Sequence, residues 1–291
     1  MAPQQTDFDF RSADGRLRLH AEVRGPQGAP LTVLCLHGLT RNGADFEFLA
    51  RHLSARYRVV IADQRGRGKS EWDPDPAHYR PSTYVEDMFA LLDRLAIDRV
   101  VLIGTSMGGH MAMIMGASQP ARLRGMVLND IGPEVPNSGL QRLRSALGNR
   151  ALAANWAEAA VQAKRMNQIA FPDYLDADWE AFARRTYVED ASARPVAAFD
   201  PAVLNGLNET DLTAVLPNLW SQWKRLDSIP ILAIRGALSD IISPEILDAM
   251  AARHPNLTPI TIANRGHAPM LDEPAAVAAI DAFLKSLETT P

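Results

Sequence analysis

The hydrophobic positions of the chain fall into two recurring patterns. Short apolar, β-branched runs occupy Thr32–Leu36, Arg58–Ala62, Val100–Ile103, Met126–Leu128 and Ile231–Ile234, and unbroken runs of this length suit strands covered on both faces. Leu17–Val23 alternates apolar with polar positions, as a half-buried strand does, and Leu257–Ala263 also carries a strand pattern. Between them, Phe46–Leu53, Tyr84–Leu95, Gly108–Ser118, Pro244–His254 and Pro274–Leu287 place apolar residues at the spacing of one helix face. Ser82, and the run Ser243-Pro244-Glu245, supply helix-start signals. The alternation predicts a mostly parallel sheet flanked by crossover helices, the α/β class.

It breaks once, between about Gly132 and Ser228, where helical patterns continue without strand-like runs. This predicts a helical cap over 132–228, inserted into a core made of 1–131 and 229–291. Trp156, Trp179, Trp220 and Trp223, four of the five tryptophans, fall in the insertion. Their ordinary role is the cap's own small core. One or two of them, with Trp156 and Trp220 as the candidates, would line an apolar substrate pocket where cap meets sheet.

The most specific chemistry lies where the run Arg99–Ile103 meets the helical pattern from Gly108. The joining residues are Gly104-Thr-Ser106-Met-Gly108-Gly109. A serine on so sharp a strand-to-helix turn has its hydroxyl raised above the sheet edge, and the glycines on either side let strand and helix approach without Cβ clashes. The helix opening there also aims the Met107 N–H at the place where negative charge would develop.

Five motifs in order resemble the α/β-hydrolase superfamily, of the serine esterase, lactonase and carbon–carbon hydrolase type. They are Leu36-His37-Gly38-Leu39, Asp63-Gln-Arg-Gly-Arg-Gly-Lys-Ser70, the serine turn, Gly236-Ala-Leu-Ser-Asp240 and Arg265-Gly-His267. The resemblance covers nearly the whole chain and implies an α/β-hydrolase fold with Ser106 as nucleophile. A serine hydroxyl needs a base to take its proton and a third group to orient that base. Of the seven histidines, His267 is the expected base, in a loop ahead of the helix near Pro274. Asp240 is the expected acid, completing the order serine, acid, histidine, with Asp130, just after Met126–Leu128, as the alternative. The backbone N–H groups of Leu39 and Met107 are the expected oxyanion donors. His37 is expected to shape the oxyanion loop and, with His110, to border the pocket.

The resemblance implies a small carboxylic ester as substrate, cleaved through an acyl-enzyme, and no cofactor or metal. Carbon–carbon hydrolases of this superfamily often carry asparagine before the serine and tryptophan after the histidine. Thr105 and Ala268 stand there, which favours an ester over a carbon–carbon bond; a lactone or a carbon–carbon bond is the alternative substrate. A non-catalytic small-molecule binding protein on the same fold is the reading from another class.

Composition narrows the partners. With 30 basic and 34 acidic residues the formal charge is −4, so no global field attracts nucleic acid. Gly68-Lys69-Ser70 matches the end of a phosphate-binding loop, but the glycine required five positions earlier is Asp63, and a dinucleotide fingerprint from Gly66 fails at Glu71. The one cysteine, Cys35, lies in an apolar run and is expected to be packed. No segment reads as a secretory signal or a membrane span, so a cytoplasmic protein is expected, as monomer or homodimer.

Overall fold

The computed structural model describes residues 5–147, 152–205 and 218–288. Its strands are β1 (Gln5–Arg11), β2 (Arg18–Arg24), β3 (Thr32–Leu36), β4 (Arg58–Asp63), β5 (Val100–Thr105), β6 (Leu123–Asn129), β7 (Tyr187–Glu189), β8 (Pro195–Ala197), β9 (Ile231–Gly236) and β10 (Leu257–Ile262). The helices are α1 (Glu47–Leu53), α2 (Pro81–Arg94), α3 (Met107–Ser118), α4 (Asn137–Leu147), α5 (Trp156–Asn167), α6 (Asp176–Thr186), the single turn α7 (Trp220–Trp223), α8 (Pro244–Arg253) and α9 (Pro274–Glu288).

Eight strands form one sheet in the order β1-β2-β4-β3-β5-β6-β9-β10. Strand β2 is antiparallel to both neighbours, and the pairs from β4 through β10 are parallel. Strand β1 has no counterpart in the sequence reading. It is an edge strand whose one fully buried side chain is Phe10, too sparse a pattern to stand out. The unbroken apolar runs are explained by two-sided burial. Val33, Cys35, Val101, Ile103, Leu232 and Ile234 face α1 and α9, whereas Leu34, Leu36, Leu102, Met126, Leu128 and Ala233 face α2, α3 and α8. Truncating one of these leucines or isoleucines, or Met126, to alanine would cost about 2–5 kcal/mol. Helix α3 is covered on most sides, which is why methionine and small residues dominate it and no polar stripe is seen.

The segment expected to form the cap is less uniform than its sequence pattern. Ala159, Ala163, Phe171, Trp179, Phe182 and Tyr187 form a cluster of their own, with Trp156 packed against it. Leu219, Trp223 and Leu226 instead join the main core beside α3. The short antiparallel pair β7 and β8 also lies in the insertion; three-residue strands are below the length at which alternation can be read. Residues 148–151 and 206–217 of the expected cap fall outside the described residues. Among the described residues, no helix is long and apolar enough to cross a membrane.

Candidate active site

The register of the parallel strands assembles the site. Thr105 of β5 pairs with Asn129 of β6, and Asn129 with Ile234 of β9. The next residues, Ser106 and Asp130, therefore leave adjacent strands at the same level, at the carboxyl edge where α/β sheets place their chemistry. Ser106 has φ 53° and ψ −117°, a backbone state that costs a residue with a side chain about 1–3 kcal/mol. Neighbouring contacts hold it there. Its N–H donates to the Asn129 carbonyl at 3.0 Å, and its own carbonyl accepts the His110 N–H at 3.0 Å. The flanking glycines are required by close approach: a Cβ on Gly108 would lie 2.0 Å from the Leu36 carbonyl oxygen, and one on Gly104 2.4 Å from the Gly108 carbonyl carbon.

His267 Nε2 lies 2.9 Å from Ser106 Oγ, and His267 Nδ1 lies 2.7 Å from Asp130 Oδ2. A carboxylate only accepts, so Nδ1–H donates to Asp130 and Nε2 is left to accept the serine proton. Asp130 is fully buried. Its Oδ1 accepts the Gly236 N–H at 2.7 Å, and Oδ2 also accepts the Ser239 hydroxyl at 2.5 Å.

The expectation that Asp240 partners His267 is corrected by this geometry. Asp240 makes a two-pronged ion pair with Arg142 of α4, Nη2 to Oδ1 at 2.7 Å and Nε to Oδ2. Partial burial works against its ionisation, but the Arg142 guanidinium outweighs that and holds its carboxyl below the ordinary range. The physical reason is strand order. Because β6 lies between β5 and β9, the end of β6 is one strand nearer Ser106, and the turn after β9 carries Asp240 past His267 towards α4.

Comparison with known proteins agrees with this frame. The model of the alpha/beta hydrolase family matches residues 33–280. The chain belongs to the alpha/beta hydrolase family. A 3-hydroxybutyrate-oligomer hydrolase of Cupriavidus necator is 30% identical over 283 residues, covering 94% of each chain. The lipase LipV of Mycobacterium tuberculosis is 31% identical over 206 residues, 71% of this chain and 66% of that one. The crystal structure of an alpha/beta hydrolase from Novosphingobium aromaticivorans superposes with a TM-score of 0.89 at 38% identity, covering 98% and 99% of the two chains.

In this alpha/beta hydrolase the loop after β3 runs beside Ser106: a Cβ on Gly38 would lie 3.8 Å from that of Ser106. His37 shapes the loop from inside. Its Nε2 accepts the Gln64 N–H at 3.1 Å, so Nδ1–H donates to the Gly38 carbonyl at 2.8 Å. Complete burial pushes its pKa down to about 4, keeping the ring neutral. Arg67, in the loop after β4, is buried. Its Nε donates to the Leu39 carbonyl at 3.0 Å, and it stacks over Tyr84 at 4.7 Å, fixing the orientation of the Leu39 peptide. Met107 follows Ser106 as the first residue of α3.

His110 is buried on α3, one turn beyond Ser106. Trp156 donates its indole N–H to Glu189 at 2.9 Å, beneath Arg184 at 3.7 Å. Trp220 packs edge-on against Trp223, with Arg253 4.4 Å from its ring centre. Trp156 thus meets β7 and α6, and Trp220 meets Trp223, the main core and the end of α8. Among the described residues, Asp14, Asp73 and His78 bring ligand atoms within 4.8 Å of one another, but Arg65 already bonds Asp73 at 2.6 Å and Arg16 bonds Asp14 at 3.1 Å. Guanidinium groups occupy the place a cation would take.

The His267 loop is also tied to the segment between α5 and α6. The Gly266 N–H donates to the Ala170 carbonyl at 2.8 Å, and Arg265 bonds Asp173 at 2.6 Å and Glu273 at 2.9 Å. Beside it, Asp173, Tyr174, Asp178, Arg185, Arg265 and Asp272 line a polar cleft of about 270 Å³. Burial, then Glu273, raises the pKa of Asp272. On the other side, Asn129 donates to the Thr105 hydroxyl at 3.0 Å and to the Pro269 carbonyl at 2.8 Å. Asn129, Arg265 and Ser239 were missed because each works through contacts distant in sequence. The one local signal was the polar pair Asn129-Asp130 closing an apolar strand.

Proposed function

We propose that this hydrolase cleaves small carboxylic esters through an acyl-enzyme formed on Ser106. The observation that carries the reading is the line of hydrogen bonds from Ser106 Oγ through the His267 ring to buried Asp130. His267 Nε2 takes the hydroxyl proton as Oγ attacks the carbonyl carbon, and the backbone N–H groups of Leu39 and Met107 receive the developing oxyanion. The protonated imidazole gives that proton to the leaving alkoxide, so the alcohol departs as the acyl-enzyme forms. Water then attacks the acyl-enzyme, losing its proton to His267, which returns it to Ser106 as the acid is released. Asp130 holds the ring in the tautomer both steps need and stabilises the imidazolium between them.

The share of the chain matched by the 3-hydroxybutyrate-oligomer hydrolase makes short hydroxyacid oligoesters the first substrates to assay. They belong beside p-nitrophenyl esters of graded length, a lactone and a vinylogous diketone. A fluorophosphonate probe is expected to label Ser106 stoichiometrically, with labelling lost in Ser106→Ala. A folded protein that stays unlabelled and turns over none of these compounds would sink the catalytic reading in favour of a binding protein.

A further inference from the structure

The turn after β9 was expected to bear the acid; instead the last residue of β9 and that turn each supply a donor to Asp130. Gly236 N–H reaches Asp130 Oδ1 at 2.7 Å, and Ser239 Oγ reaches Asp130 Oδ2 at 2.5 Å. Ser239 Oγ is also approached by the N–H groups of Ile241 at 3.2 Å and Ile242 at 3.5 Å. Two N–H groups pointing at a hydroxyl oxygen take its lone pairs and leave its single proton one outlet. That outlet is Asp130 Oδ2, the same oxygen that accepts His267 Nδ1–H.

We infer that Ser239 is a positioning residue: its hydroxyl, oriented by the Ile241 and Ile242 peptides, locks the Asp130 carboxylate in the rotation that meets His267. The inference rests on the triad reading for its kinetic consequence, though the hydrogen bonds themselves stand without it. Gly236 N–H alone anchors one oxygen and leaves the carboxylate free to turn about that anchor. Ser239 anchors the second oxygen and removes the turn. Ser239 touches neither substrate nor reacting atoms, and its effect passes through Asp130 to His267.

The test compares Ser239→Ala with Ser239→Thr and Ser239→Cys, reading activated-ester kinetics and the proton NMR resonance of His267 Nδ1–H. Ser239→Ala is expected to lower kcat about 10- to 100-fold, the range for loss of one hydrogen bond to a charged group, with KM within about twofold. Its Nδ1–H resonance should broaden through exchange at temperatures where the wild-type signal is sharp. Threonine keeps the hydroxyl and should restore both; cysteine, a weaker donor of similar shape, should fall between and carries the comparison if the alanine variant does not fold. A folded Ser239→Ala protein with wild-type kcat and an unchanged resonance overturns the inference, as does a kcat loss that threonine does not rescue. The NMR readout and fluorophosphonate labelling of wild type are independent, so failure of the hydrolytic reading is distinguishable from failure of the role given to Ser239.

Discussion

Asp130 and Asp240 are both acids at the ends of neighbouring parallel strands, and their surroundings are opposite. Asp130 is fully buried and takes hydrogen bonds from Gly236, Ser239 and His267. Asp240 is 38% exposed and meets Arg142, which is equally exposed. The first environment fixes one rotation of a carboxylate in a dry site, where its charge acts strongly on the imidazole beside it. The second is a half-solvated ion pair, in which water competes for both partners. What separates them is position in the strand order: residue type, chain order and the presence of a following helix are shared.

The largest effect expected from this contrast is kinetic. Asp130→Asn should lower kcat on an activated ester by roughly 10⁴-fold, because an amide can hold His267 in the wrong tautomer, whereas Asp240→Asn should stay within about twofold of wild type. Similar losses in the two variants would break the comparison.

Next comes the framework that brings β5 and β6 level. Gly108→Ala places a Cβ 2.0 Å from the Leu36 carbonyl oxygen, so strand and helix must separate. A loss of about 3 kcal/mol or more is expected in urea denaturation, along with fluorophosphonate reactivity. Wild-type stability in that variant would show that close approach is not what holds the nucleophile turn.

Titration sharpens the contrast between buried and exposed groups. The unfolded chain takes up a proton on His37 near its ordinary 6.5, whereas burial delays uptake in the fold to about pH 4. Unfolding therefore binds a proton between these values, and stability should fall by up to about 3 kcal/mol as pH drops from 6.5 to 4. A His37→Gln variant, less stable at pH 7, should show a flatter slope over that window in pH-dependent melting.

The smallest effect belongs to the Asp240 pair. With its folded carboxyl held below the ordinary 3.8, its contribution is present above that value and lost as pH falls through the lower, folded one. Exposure limits it to under about 1 kcal/mol. Wild type and Asp240→Asn should thus differ slightly at pH 7 and converge in strong acid. A larger gap would mean that Arg142 anchors α4 through this contact.

Much of the molecule was legible from local pattern. The strands from β2 to β6, β9 and β10, the flanking helices, the nucleophile turn and the His267 loop each carry their signal within a few residues. Buried runs, helical spacing and glycines at close approaches are local consequences of two-sided packing. Strand β1, the β7 and β8 pair and the joining of Leu219, Trp223 and Leu226 to the main core were not legible. Edge strands are sparsely apolar, and three-residue strands have no period to detect.

The sequence by itself determined an α/β fold of the alpha/beta hydrolase family, with a serine on a strand-to-helix turn and a histidine loop ahead of the last helix. Tertiary structure alone decided which acid meets that histidine. Two aspartates followed apolar strands in acceptable order, and only the side-by-side arrangement of β5, β6 and β9 places Asp130 level with Ser106 while carrying Asp240 out to Arg142. Sheet order is a property of long-range pairing, which no window of the chain encodes. The same pairing turned the expected acid loop into the donor of Gly236 N–H and Ser239 Oγ, two hydrogen bonds to a carboxylate more than a hundred residues away.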